Sequence, residues 1–153
     1  MNELYLLLKN KGWTIGSCES LTAGLFTARF AEINGVSSVL KGGIVTYQSD
    51  VKADLVGVKR SLIEQYGVVS EPCAAAMASQ AKKLLECDLC VSFTGNAGPT
   101  AMDGQPVGSV YCAIAFQDEV LPYHFQLNGS RNEIREQVID CMVQELIEFI
   151  KSR

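Results

Sequence analysis

The apolar residues of this chain change their spacing repeatedly, from short unbroken runs to helical stripes and back, with no linker between them. Unbroken or alternating runs suit strands, and a period near 3.6 suits amphipathic helices, so the pattern predicts a layered α/β domain. With 153 residues, 48% of them hydrophobic and 20% charged, the chain is long enough to bury one core, and no second domain is expected.

Read in order, residues 2–11 form a helix stopped at Gly12, 13–18 a buried strand, and 21–33 a helix whose Leu21, Leu25, Ala28, Phe26 and Phe30 face the sheet. "LKGGIVTY" (40–47) reads as a second strand, followed by Ser49 as N-cap of a short helix that Gly57 ends. A further short helix (about 61–66) reaches Gly67, and Ser70 with Pro72 opens an alanine-rich helix. A third strand covers 88–95. The glycine- and proline-rich connection over 95–108 is long for a compact domain, which is a mark of functional loops. "SVYCAIAF" and "LPYHFQL", separated by "QDEV", read as a hairpin, so the expected sheet is mixed and mainly parallel. The last helix, 132–151, carries Ile134, Val138, Met142, Leu146 and Ile150 as one stripe beside Ile139, Val143 and Ile147.

A formal charge of −4 argues against tight nonspecific nucleic-acid binding, which needs clustered cations to displace counterions. No stretch is long and apolar enough to span a bilayer, and "MNELYLLLKNKG" reads as a docked helix rather than a leader. Six cysteines in apolar segments suggest reduced, buried thiols and a cytoplasmic protein.

The motifs GxxxxGK[ST], GxGxxG and GxSxG are absent, which removes three large families of phosphate, dinucleotide and serine-hydrolase chemistry. His124, the single histidine, sits in a strand-like segment and reads as structural. "CDLC" (87–90) has no second pair to complete a zinc site, and strand geometry would turn Cys87 and Cys90 to opposite faces. Glu133, Glu136, Asp140, Glu145 and Glu148 fall on the polar side of the last helix.

Ser20 is the first candidate for chemistry. At the first turn of a helix its hydroxyl would face free N–H groups and a positive dipole end, as an N-cap or as a nucleophile. Glu19 beside it could orient a substrate or accept backbone N–H bonds. Lys52, early in the helix after Ser49, is at the unfavourable end of that dipole; if desolvated it would serve as a base, and otherwise it is a surface lysine. Tyr47 could relay a proton between Ser20 and Lys52, or pack. "GNAGP" (95–99) offers consecutive amides suited to an oxyanion or phosphate, and Arg131 at the start of the last helix is placed for an anion.

Five ordered signatures resemble the CinA C-terminal domain family, whose best-defined activity is nicotinamide-mononucleotide (NMN) amidase. "ESLTAG" (19–24) is similar to the family's ESxTxG, "VTYQSDVK" (45–52) to VTYxxxxK, "SEP" (70–72) to SEP, "GNAGP" (95–99) to GxAGP, and "QPVGSV" (105–110) to PVG[TS]V. The likeness runs from about Trp13 to Arg135. It implies a three-layer α/β/α domain, usually oligomeric, that hydrolyses the carboxamide of a pyridine mononucleotide without metal or organic cofactor. Carried over by motif, Ser20 is the nucleophile, Lys52 its base and Tyr47 an assistant. Glu19, Thr22, Gly24 and the loop residues Gly95, Asn96, Ala97 and Gly98 shape the pocket, with Arg131 the leading phosphate ligand. The chain departs from the pattern at Ala23, Asn96, Ser49-Asp50 and, in the triplet the family writes GDR, at Ser130. Family members often carry an N-terminal nucleotide-hydrolysing domain that is not in this sequence, so the expectation is a stand-alone amidase, a homodimer by default. The rival expectation is a non-catalytic module that binds a nucleotide or a protein in competence or recombination physiology.

Overall fold

The computed structural model describes all 153 residues. Helix α1 (Asn2–Lys11) ends at Gly12 in the left-handed conformation, and β1 (Ile15–Glu19), wholly buried, follows. Then come α2 (Leu25–Ala31), β2 (Leu40–Val45), a single turn α3 (Ser49–Val51) that widens into a π-helical turn over Lys52–Val56, and α4 (Arg60–Tyr66). Helix α5 (Glu71–Leu85), β3 (Leu89–Gly95), the hairpin β4 (Ser109–Phe116) and β5 (Glu119–Gln126), and α6 (Arg131–Lys151) complete the chain.

The five strands form one mixed sheet in the order β2-β1-β3-β4-β5. β1 pairs in parallel with β2 and β3, and the hairpin adds two antiparallel pairings. Strand alternation sorts the side chains between two layers. Ile15, Leu89, Val91, Phe93, Val110, Cys112 and Ile114 meet α1, α2 and α6 in the main core, where both predicted stripes of α6 are buried. Cys18, Cys90, Ala113 and Ala115 face the other way, toward α5. The second layer is lined by small side chains, and Ser92 Oγ donates to Ala74 O at 2.7 Å across it, so α5 lies close against the sheet. No helix is long and apolar enough to cross a membrane.

Three local expectations are corrected. The helix after β1 begins at Leu25, with Gly24 as its N-cap; residues 21–24 are a turn, Leu21 is buried from that turn and Ala28 is exposed. Ser49 is the first residue of α3, and its N-cap is Gln48, with no side-chain cap bond. Cys87 stands before β3, where strand alternation does not apply, so both thiols of "CDLC" enter the one cluster under α5 rather than opposite faces. Ser70 caps α5 as expected, its Oγ accepting from Cys73 N at 3.3 Å, and at the start of α6 Ser130 forms a capping box with Glu133. Where the resembling family has aspartate, Ser130 caps α6 just as well.

Candidate active site

β1 lies between its two parallel partners. The chain leaves it through α2 on one face and returns to β3 through α5 on the other, which opens a crevice at the carboxyl ends of these strands. Ser20 continues β1 by one residue, its N–H donating to Phe93 O at 2.8 Å. Alternation therefore sends Glu19 and Ser20 to opposite sides of the sheet.

Glu19 faces α2 and is completely buried. Its carboxyl oxygens accept from Phe26 N (3.1 Å), Thr27 N (3.0 Å), Thr27 Oγ1 (2.8 Å) and Ser17 Oγ (3.0 Å). The helix start thus takes its acceptor from Glu19, and Ser20 is no N-cap: the expected hydroxyl at a helix first turn is replaced by a carboxyl capping α2 from the preceding strand. Glu19 has no access to the crevice and does not touch a substrate there. Glu19→Ala, which leaves two helix N–H groups and two hydroxyls without their acceptor, is expected to lower stability by about 3 kcal/mol, read by denaturant unfolding. A variant of native stability with raised KM would return Glu19 to substrate binding.

On the other side, Lys52 Nζ lies 2.9 Å from Ser20 Oγ. It also donates to Thr46 O at 2.6 Å and Tyr47 O at 3.3 Å, the backbone that follows β2. Lys52 is 1% exposed and Ser20 8%. Burial pushes the lysine below its ordinary value of 10.5, opposed by Cys73, Cys18 and Asp103. Both thiols are themselves pushed up by burial, Cys18 to about 12 and Cys73 to about 11, so they are uncharged near neutrality.

Ser20 opens into a cleft of about 710 Å³ whose walls include Leu21, Tyr47, Thr94, the 95–98 loop and Arg131. The loop is built by its own polar groups. Asn96 is buried, with Oδ1 accepting from Gly98 N at 2.9 Å and Nδ2 donating to Gln105 O at 3.3 Å, so its side chain braces the loop instead of reaching outward. Gly95 allows close approach: a Cβ there would meet Ser109 O and the Val110 Cα at 2.8 Å. Ala97 N–H and Leu21 N–H have no acceptor within the protein, and both residues line the cleft.

The Tyr47 phenol is exposed and pairs with Arg131 Nη2, while Arg131 Nη1 donates to Gly98 O at 2.7 Å. The proposed relay through the phenol is therefore corrected: Lys52 reaches Ser20 directly, and Tyr47 serves the pair through its backbone carbonyl. Thr22 is buried, with an unpaired Oγ1, and Gly24 caps α2; neither lines the cleft. His124 stacks on Tyr111 with Nε2 3.0 Å from Ser109 Oγ, away from Ser20.

Two wall elements escape sequence reasoning. Arg60 lines the cleft mouth and is held by both oxygens of Asp54, at 2.6 and 2.8 Å. Asp103 accepts from Val68 N (2.7 Å) and Val69 N (3.1 Å), fastening the 100–105 wall to the segment before α5. An i, i+6 pair and a lone aspartate in a loop carry no pattern that would single them out.

The family model of the CinA C-terminal domain matches residues 1–150. A protein of Lysinibacillus sphaericus described as competence-damage inducible is 43% identical over 148 residues, which are 96% of this chain and 35% of that protein. A like-named protein of Geobacillus kaustophilus is 43% identical over 129 residues, 84% of this chain and 31% of that one. The chain thus spans about a third of the length of the curated relatives it matches. Among solved structures, a CinA superfamily protein of Klebsiella pneumoniae superposes with a TM-score of 0.96 at 23% identity, over 99% of this chain and 95% of that one, a likeness of fold. The competence/damage-inducible protein of Agrobacterium tumefaciens gives 0.88 at 30% identity, over 95% and 94%.

Proposed function

From the membership of this chain in the CinA C-terminal domain family, and from the buried Ser20–Lys52 contact, we propose that the cleft hydrolyses the carboxamide of nicotinamide mononucleotide to nicotinate mononucleotide and ammonia. The single observation that carries the reading is the 2.9 Å separation of Lys52 Nζ and Ser20 Oγ at the floor of the cleft. A neutral amine matches its three neighbours: two N–H groups donate to Thr46 O and Tyr47 O, and the lone pair accepts the Ser20 hydroxyl proton. Ser20 Oγ attacks the carboxamide carbon as that proton passes to Lys52. The tetrahedral oxyanion takes the unpaired N–H groups of Leu21 and Ala97. Lys52 then protonates the departing nitrogen, the C–N bond breaks, and ammonia leaves a Ser20 ester. Water, deprotonated by the same amine, cleaves the ester and restores the hydroxyl.

Arg131 holds the substrate phosphate in this reading, because it is exposed at the cleft wall with its fork already oriented by Gly98 O and Tyr47. The test is ammonia release from nicotinamide mononucleotide by the native chain, beside nicotinamide riboside and nicotinamide. Turnover of the mononucleotide is expected, with Arg131→Ala raising its KM about 10–100-fold and leaving the riboside unaffected. Equal turnover of all three compounds removes Arg131 from its role, and binding of the mononucleotide without ammonia release replaces the amidase by a non-catalytic binding module.

A further inference from the structure

We propose that Arg135 is a positioning residue for Ser20, acting through the turn that follows it. Arg135 stands on the second turn of α6, half-buried, and reaches back across more than a hundred residues to the 21–24 turn. Its Nε donates to Leu21 O at 2.9 Å and its Nη2 to Thr22 O at 3.1 Å, while Nη1 donates to Asn132 Oδ1 at 3.1 Å, which fixes the plane of the fork. Leu21 O has no other donor.

A trans peptide directs its N–H opposite to its C=O. Holding the Leu21 carbonyl against α6 therefore turns the Thr22 N–H away from α6. The Ala23 N–H donates to Ser20 O at 3.1 Å, which sets the peptide between Ser20 and Leu21 and with it the direction of Leu21 N–H. Neither Leu21 N–H nor Thr22 N–H has an acceptor in the protein. Within the turn the shape is held by Ala23 N–H on Ser20 O and Leu25 N–H on Thr22 O, and it is opposed by Ala23 at φ 50, where a side chain is disfavoured by about 1 kcal/mol. β1 stops at Glu19 and α2 starts at Leu25, so no regular ladder fixes the intervening amides. The Arg135 fork adds a constraint from outside the turn: it fixes the Leu21 and Thr22 carbonyls, and so the turn in which Ala23 N–H on Ser20 O aims the Leu21 N–H offered to a developing oxyanion. It does so without touching the cleft, whose walls do not include it.

The kinetic part of this inference rests on the amidase reading, so the test has a second arm that does not. Arg135→Ala and Arg135→Lys are compared with the native chain in kcat and KM for nicotinamide mononucleotide. The second arm is the rate at which diisopropyl fluorophosphate labels Ser20, read by peptide mass. Arg135→Ala is expected to lose about 30–100-fold in kcat with KM within about threefold, less than loss of an oxyanion donor itself causes. Its labelling slows in parallel, and ethylguanidine restores part of both rates. Arg135→Lys, with a single donor nitrogen and no planar fork for the two carbonyls, falls between and keeps the test open should the alanine variant not fold. Arg29→Ala, which removes the α2–α6 ion pairs to Glu136 and Asp140, leaves both rates unchanged. Native rates in the Arg135 variants overturn the proposal, as does a loss that follows only KM or the unfolding midpoint and ignores ethylguanidine. A native chain that releases no ammonia, yet is labelled at Ser20 faster than the variants, leaves Arg135 in its role and removes the substrate. Absence of labelling in the native chain removes both.

Discussion

Ser20→Ala is expected to release ammonia from nicotinamide mononucleotide at least about 10⁴-fold more slowly than the native chain, with KM little changed. The Ser20 hydroxyl is the one side-chain group in hydrogen-bond contact with the buried amine, whose other two partners are the backbone carbonyls of Thr46 and Tyr47. Removing one oxygen from an 8% exposed side chain disturbs packing little, so the unfolding midpoint holds. Loss of rate without loss of fold or binding is the signature of an interaction made in the transition state.

The second large effect belongs to Lys52. Its amine must be uncharged to take the proton from Ser20, and burial favours that form by lowering its pKa. The groups that face it are Cys18, Cys73 and Asp103; both thiols are held protonated near neutrality, so Asp103 is the charged neighbour that opposes burial. kcat/KM is therefore expected to rise with pH to a plateau, with its midpoint below 10.5. Stability has the same sign. Between the lowered folded value and the ordinary value of the unfolded chain, the unfolded state binds more protons, so unfolding becomes harder as pH rises through that window. Below the window the full cost of burying an ammonium is present. Lys52→Met, similar in length and without a charge, is expected to lower kcat about 10³-fold, abolish the alkaline rise and flatten that pH-dependence of stability. A methionine variant that keeps the native pH profile would assign the base elsewhere.

Much of the fold was legible because its signals are local. Gly12, Gly57, Gly67 and the Ser70–Pro72 pair punctuate helices in the sequence as they do in space, and the stripes of α6 follow from spacing alone. The start of α2 was not legible, because Leu21 is buried from a turn and imitates the helical stripe. The side chosen by Cys87 is set in the turn before β3, where strand alternation does not apply and apolar content gives no signal.

The site divides in the same way. Motif order singles out Ser20, Lys52, Arg131 and the 95–98 loop, and the fold gathers them at one crevice, with Lys52 against Ser20 across 32 residues of sequence. What the motifs could not separate is a residue that lines the cleft from one that supports it. Glu19 is adjacent to Ser20 in sequence but its side chain lies on the opposite face of the sheet, and the Tyr47 phenol turns to Arg131 instead of Lys52. Arg135 and Asp103 act through backbone atoms of distant segments, and backbone acceptors leave no trace in a sequence.

The most direct test of the account is rapid acid quench of the native chain turning over nicotinamide mononucleotide, followed by mass analysis of the peptide that contains Ser20. A nicotinate-mononucleotide ester on that serine is expected, formed as ammonia is released and absent from Ser20→Ala and Lys52→Met. Ammonia release at full rate by Ser20→Ala, with no adduct on the native peptide, would contradict it.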